Sequence, residues 1–375
     1  MQPVVANKRV NDEKLLFTLS GVNTSIANSI RRCILSDIEC VVFKTFPHAE
    51  NKANIVKNTS RHTNEILKQR LSCVPIHLDV SAPYDSLIVE VNVTNTTDQT
   101  IYVTTKDFKI KEKTTEKYIS ESERDKIFPP NTITGDYIMF ARLRPSGETK
   151  KGEGESLSFT AEMNIATAKE DGMFSVASIS SYTNTIDAAK LDTAWKEKQS
   201  TLTANTEDVM TETELAKYKE NWLLLDGLRQ FKDNSFDFVI ETIGVYSNET
   251  LVIRSCDAML KKIEQLNHEI QTKTVTINKS ETTIDNCYDL VLKNEDYSLG
   301  KVIEYILHVN YYEGDKILTF CGFKKFHPHD IDSIIRIAFK ADEEMASIHD
   351  YLIATCNQAS QIYEKIKTNF NDATI

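Results

Sequence analysis

Several things are missing from this 375-residue chain, and each absence removes a class of protein. No run of about 18 apolar residues occurs, and the opening residues show no basic start leading into an apolar core, so neither a membrane span nor a secretory signal is expected. Cysteine is sparse. The seven cysteines, at 33, 40, 73, 256, 287, 321 and 356, are odd in number, scattered and never spaced CxxC. That pattern fits free thiols in a reducing, intracellular compartment and offers no metal site. There is no phosphate-binding glycine loop, no HExxH and no GxSxG, so the usual chemistry of an independent enzyme is lacking. Positive charge is in deficit: 44 Lys and Arg stand against 55 Asp and Glu, for a net charge of -11 and a pI near 5.4. Wrapping nucleic acid needs clustered cations, so direct nucleic-acid binding is not expected and a protein partner fits better.

What is present is an ordinary folded composition, 41% hydrophobic and 26% charged, in a chain long enough for two or three domains. Its most informative stretch is TSIANSIRRCILSDI at 24–38, because a weakened copy, YSLGKVIEYIL, returns at 297–307. At about 100° per residue the first places Ile26, Ile30, Cys33 and Ile34 on one helical stripe and Asn28, Arg31 and Arg32 opposite. The second aligns Leu299, Val302, Ile303, Ile306 and Leu307, with Lys301, Glu304 and Tyr305 where Asn28, Arg31 and Arg32 stood. The apolar faces match and the polar faces do not. Each helix follows a strand-like run, Leu15 to Leu19 or Tyr288 to Leu292, through a polar turn able to cap it.

Between the copies, SLIVEVNV, TIYVTT, FKIK, YIMFARL and SLSFTAEMNI alternate apolar and polar residues and are broken by Pro and Gly, which predicts an antiparallel β domain over 76–234. Residues 187–233 read as a helical excursion of it, acidic around Glu207 to Glu214. The flanks, 1–75 and 235–271, then form one discontinuous domain that includes a helix from near Asn64. Its closing helix carries Met259, Ile263, Leu266 and Ile270. The polar segment 272–285 reads as a linker, and 286–375 as a second α+β module ending in a helix striped by Ile348, Leu352, Cys356, Ala359, Tyr363 and Ile366. A stripe of that length calls for another long helix, and the helix before the linker is the natural candidate. Lys106, Lys109, Lys111 and Lys113 are expected on one face of a strand, where a lysine-rich edge guards against aggregation or binds DNA.

These residues resemble a known family. NSIRRCILSDIE (28–39), NEILKQRLSCVPIHL (64–78), TTKDFKI (104–110), MFARLRPSGE (139–148) and FVIETIGVYSNETLVIRSCDAMLKKIEQL (238–266) are similar, in order, to the third-largest subunit of multisubunit DNA-directed RNA polymerases, the archaeal D subunit and the N-terminal domain of bacterial α. LKNEDYSLGKVI (292–303) and FCGFKKFHPHDIDSIIRI (320–337) resemble the smaller partner, the eleventh or archaeal L subunit. The two are joined head to tail, as in the fused version of large cytoplasmic DNA viruses. The resemblance implies an α+β pseudo-dimer of two α-subunit-like dimerisation modules, the first interrupted by the β domain. It departs from the family at Ser72, Lys301 and Glu304, and it lacks any cysteine between Cys73 and Cys256, so the zinc or iron–sulfur cluster of many relatives is not expected. No cofactor is expected either.

The function so implied is a non-catalytic assembly subunit that docks the second-largest and then the largest polymerase subunit, with small subunits of the ten and twelve type nearby, in the host cytoplasm and virion or else the nucleus. The acidic triplet that holds catalytic magnesium in a polymerase is absent. Asn28, Arg31, Arg32, Arg70, Lys301, Glu304 and Tyr305 are the partner-binding candidates, since an Arg fork suits carboxylates and carbonyls at interfaces. The plain alternative is a solvated helix face. Ile26, Ile30, Ile34, Met259, Ile263, Leu299, Ile303, Leu307, Leu352 and Cys356 are expected in the interface between the halves, or simply in the core. Two further readings are a scaffold outside any polymerase and a hydrolase built on Cys33 or Cys73 with a histidine. Against the latter, Cys33 lies on an apolar stripe, and His327-Pro328-His329 is a weak metal motif.

Overall fold

The computed structural model describes residues 1–146, 154–205 and 211–373, without the side chains of 203–205. Residues 207–210 of the acidic stretch and the glycines 147 and 152 lie outside that range. Among the described residues there are eight α-helices: α1 (Thr24–Ser36), α2 (Asn64–Ser72), α3 (Glu121–Ile127), α4 (Ala188–Asn205), α5 (Glu212–Leu224), α6 (Asn248–Gln271), α7 (Tyr297–Leu307) and α8 (Met345–Asp372). The architecture is mixed α+β. The chain forms two compact units, one of Met1–Ile34, Ile179–Glu241 and Asn248–Ile375, the other of Leu35–Ser178 and Thr242–Ser247.

The first unit repeats one topology. Val4–Asn11, Lys14–Ser20, α1, Ala177–Ile186, Phe231–Thr242 and α6 follow one another as strand, strand, helix, strand, strand, helix, with unit two and then α4 and α5 intervening in the chain. Ile277–Lys279, Cys287–Leu292, α7, Leu318–Lys324, Ser333–Phe339 and α8 do the same without interruption. Each set makes a four-stranded sheet in the order first, second, fourth, third. The second strand is central in both. In Lys14–Ser20 this buries Leu15, Phe17, Thr18 and Leu19, and Phe17 stacks on Phe238 of the neighbouring strand at 4.9 Å between ring centroids.

Helices cover these sheets because their apolar stripes have nowhere else to go. Gly300 lets α7 lie close to its sheet: a Cβ there would come within 2.1 Å of the Phe323 ring. Ala27 holds the corresponding place on α1, and Asp296 caps α7 by accepting the Ser298 amide at 2.8 Å. The long helices α6 and α8 pack on each other. Buried Met259, Ile263, Leu266 and Ile270 stand on one, and Ile348, Leu352, Cys356, Ala359, Tyr363 and Ile366 on the other. The end of α8 then reaches the first sheet, where Phe370 meets Phe17 edge-on at 5.2 Å. The segment read as a linker carries a short strand, with Ile277 opposite Leu290.

The second unit has its own core. Ala53–Asn58, Ser156–Glu162, Leu87–Thr94 and Lys109–Glu112 form a sheet in that order, and two-stranded ribbons pair Ile101–Thr104 with Met139–Leu143 and Glu39–Val42 with Asn164–Thr167. Phe43, Phe108, Phe128, Phe140 and Phe159 fill it, together with Leu67 and Leu71 of α2. Residues 35–75, grouped from sequence with the first module, fall in this unit, with Val41, Phe43, Leu67 and Leu71 in its core, whereas the described part of 187–233 falls in unit one. Periodicity marks a buried face but does not say which core receives it. Lys106 also departs from expectation: it sits in a 3-10 turn that Asp107 closes by accepting the Thr104 amide at 2.8 Å, so it does not share a strand face with Lys109 and Lys111.

Candidate functional site

The polar faces of α1 and α7 border one groove of unit one, about 590 Å³ in volume. From α1 and the turn before it come Asn23, Thr24, Ser25 and Asn28, and from α7 come Lys301, Glu304 and Tyr305. The wall is completed by Tyr182, from the strand Ala177–Ile186, and by His308 and Glu313. The last two stand on a π-helical turn, His308–Gly314, that continues α7, and such wide turns recur at functional sites. His308 Nδ1 lies 3.7 Å from a Glu313 carboxylate oxygen, and its ring stacks on Tyr312 at 4.7 Å. Lys301 and Glu304 form an ion pair at 2.6 Å along the helix. Burial, aided by the Glu313 charge, raises the Tyr305 pKa, while a hydrogen bond with Asn23 acts against the rise. The phenol therefore stays neutral, able both to donate and to accept.

Asn28, Lys301, Glu304 and Tyr305 thus meet in one place, from segments remote in sequence. Arg31 stands beside them and donates from Nε to Asn28 Oδ1 at 2.9 Å. Arg32 turns to α7 instead: it forms an ion pair with Asp296, and its Nε donates to Ser298 Oγ at 2.9 Å. Its guanidinium is thus engaged within the chain, at the capped start of α7. Lys262 of α6 pairs with Glu295 nearby at 2.9 Å. Arg70 lies in unit two, donating from Nε and Nη2 to the Phe140 and Met139 carbonyls, each at 2.8 Å. The ten apolar candidates, Ile26, Ile30, Ile34, Met259, Ile263, Leu299, Ile303, Leu307, Leu352 and Cys356, are all 1% exposed or less. Ser29 and Tyr363 add a buried hydroxyl–hydroxyl hydrogen bond between α1 and α8. Of the residues sequence reasoning missed, Asp296 had a signal, an Asp two residues before a Ser at a helix start. Tyr182 had none, since only the sheet order brings it here.

The charge pairs make an acid-sensitive joint. Burial works to raise the Asp296 pKa, but the Ser298 amide and the Arg32 and Lys262 charges outweigh it and hold the carboxyl below its usual range. At Asp289, two Arg336 hydrogen bonds of 2.7 and 2.8 Å lower the pKa, against the opposing effect of burial. A carboxylate depressed in the folded state contributes stability above its unfolded pKa, about 4, and loses it as pH falls through the folded value. The melting temperature is accordingly expected to drop below about pH 4, and Asp296→Asn to remove part of that drop in thermal melts followed by circular dichroism. An unchanged pH profile in the variant would contradict this.

Burial pushes the thiols of Cys40, Cys256, Cys321 and Cys356 up to about 12, which makes them poor nucleophiles. Among the described residues no group of three or more His, Cys, Asp and Glu side chains is arranged to hold a metal ion. His327 Nδ1 accepts the His329 amide at 3.1 Å, so one nitrogen of that pair is occupied.

Residues 16–263 match the family model of the RNA polymerase Rpb3/Rpb11 dimerisation domain. The chain belongs to this family. As an Rpb3/Rpb11-type protein it is an RNA polymerase subunit with a dimerisation domain, of a kind that works with other polymerase subunits. The match runs from the second strand through most of α6, and unit two lies wholly inside it. Residues 264–375, with α7 and α8, lie beyond it. No helix among the described residues is long and apolar enough to cross a membrane.

Proposed function

We propose that this Rpb3/Rpb11-family chain is a non-catalytic assembly subunit in which a third-subunit-type half and an eleventh-subunit-type half are fused, pair within one chain, and dock the two large polymerase subunits. The observation that carries the reading is the repeated strand order: both sheets run first, second, fourth, third, and their closing helices α6 and α8 pack on each other. A family dimerisation domain that meets a second copy of its own topology in the same chain has its pairing partner at hand. Unit two then corresponds to an insertion between α1 and the third strand of the first copy.

The unlike polar faces give the platform direction. An identical pair would offer the same surface twice, whereas Asn28 and Arg31 on one side and Lys301, Glu304 and Tyr305 on the other offer two chemistries to the second-largest and largest subunits. Small subunits of the ten and twelve type would bind alongside. The fused arrangement resembles that of large cytoplasmic DNA viruses, which favours work in the host cytoplasm and virion, with the nucleus as the alternative.

Tagged chain recovered from its native source is expected to bring both large subunits with it. Lys301→Glu combined with Tyr305→Ala should cut that recovery about tenfold, as loss of interface anchors does, without changing the thermal melt of the chain. Undiminished recovery would remove the groove from the interface. If the unaltered chain brings no polymerase subunit, it is a scaffold of another assembly.

A further inference from the structure

The second unit holds a cleft rich in arginine. It has a volume of about 520 Å³ and is lined by Arg61, Arg70, Arg142 and Arg144, with Glu155 the one carboxylate among its lining residues. Glu155 is fully used: it accepts Arg144 Nε at 2.9 Å, Nη2 at 2.7 Å and the Arg144 amide at 2.8 Å. Arg70 is held rigid by its two carbonyl bonds to Met139 and Phe140. Arg142 is placed over the ring of its cross-strand partner Tyr102, at 5.4 Å. Arg61 and Arg142 are exposed and, among the described residues, form no direct ion pair, although the Arg61 charge helps to lower the Glu155 carboxyl. Guanidinium groups present planar donor forks suited to carboxylates, and those of Arg70 and Arg142 are already held in place. Met139, 39% exposed, adds an apolar contact at the same cleft.

We propose that this cleft docks an acidic segment of a partner polypeptide, one that sets carboxylates against Arg61 and Arg142 and an apolar side chain against Met139. Nucleic acid fits less well, because its affinity comes from a track of cations along successive phosphates. Lys111 pairs with Glu90 and Glu116, at 3.8 and 3.9 Å, and Lys113 with Glu162 at 2.9 Å, so these cations are already neutralised. The cleft joins arginines to an apolar contact, a combination that matches a short acidic peptide. The residues are distinct from those of the polymerase-docking groove, so either proposal can fail alone.

The test uses the intact chain and a fluorescein-labelled synthetic peptide of Asp and Glu with one Phe, read by fluorescence anisotropy. Two further probes are the same peptide with Asn and Gln in place of the acids, and a labelled oligothymidylate. The acidic peptide is expected to bind, and Arg61→Glu and Arg142→Glu each to weaken it about tenfold, the scale of one charge-assisted hydrogen bond, with unchanged circular dichroism melts. Lys301→Glu should leave that affinity as it is. Equal binding by both reversed variants, or by the amide peptide, would overturn the proposal. So would oligothymidylate binding tighter than the peptide and lost on the same substitutions, which would assign the cleft to phosphates.

Discussion

A protease site placed between Ser280 and Asp285 is expected to yield two fragments that elute together in non-denaturing buffer, and Ile263→Asp to make the cut fragments separate. The contacts that join them are extensive. Tyr363 and Phe370 of α8 reach α1 and the first sheet, Lys367 pairs with Asp257 at 2.5 Å, and Asn369 donates to the Pro3 carbonyl at 2.6 Å. Ile277–Lys279, which stays with the larger fragment, still pairs with Cys287–Leu292 of the smaller. An Asp at fully buried position 263 puts a carboxylate where nothing hydrates it, at a cost of several kcal/mol. In the intact chain the tether, which keeps the effective concentration of the halves near millimolar, would oppose that loss. Separation of the fragments without the substitution would refute intramolecular pairing.

The second large effect is expected at Tyr363, buried to 0% exposure and hydrogen-bonded to Ser29. Tyr363→Ala should cost about 3–5 kcal/mol, the range for emptying an aromatic site in a core. Tyr363→Phe keeps the ring and removes one hydroxyl, and Ser29 Oγ still donates to the Ile26 carbonyl at 2.7 Å, so about 1 kcal/mol is expected. Urea unfolding of the two variants measures both. A loss below about 1 kcal/mol for Tyr363→Ala would mean that the α1–α8 contact adds little to unit one.

The two results bear on the same physical point. Helices α6 and α8 are amphipathic along much of their length, and a stripe such as Ile348 to Ile366 is unstable unless a second apolar surface of matching length covers it. Each helix supplies that surface for the other. Unit two has its own phenylalanine-rich core.

The strand, turn and helix around Ile26 and again around Ile303 were legible because hydrophobic period and capping residues are local signals, as was the stripe of α8. So were the alternating runs that became Leu87–Thr94 and Ser156–Glu162. The full repeat was not, because the third and fourth strands of the first copy lie beyond a long excursion, and strand order leaves no mark in local sequence. The same limit hid the assignment of α2 to the core of unit two and the place of Tyr182 in the groove.

By itself, the sequence determined that two amphipathic helices share an apolar stripe and differ in polar face, since side-chain chemistry at helical spacing is enough for that. Only the tertiary structure decided which polar residues face outward together. It joined Asn28 to Lys301 and Tyr305 across one groove and turned Arg32 inward to Asp296, because ion pairs and groove walls depend on distances between segments far apart in the chain.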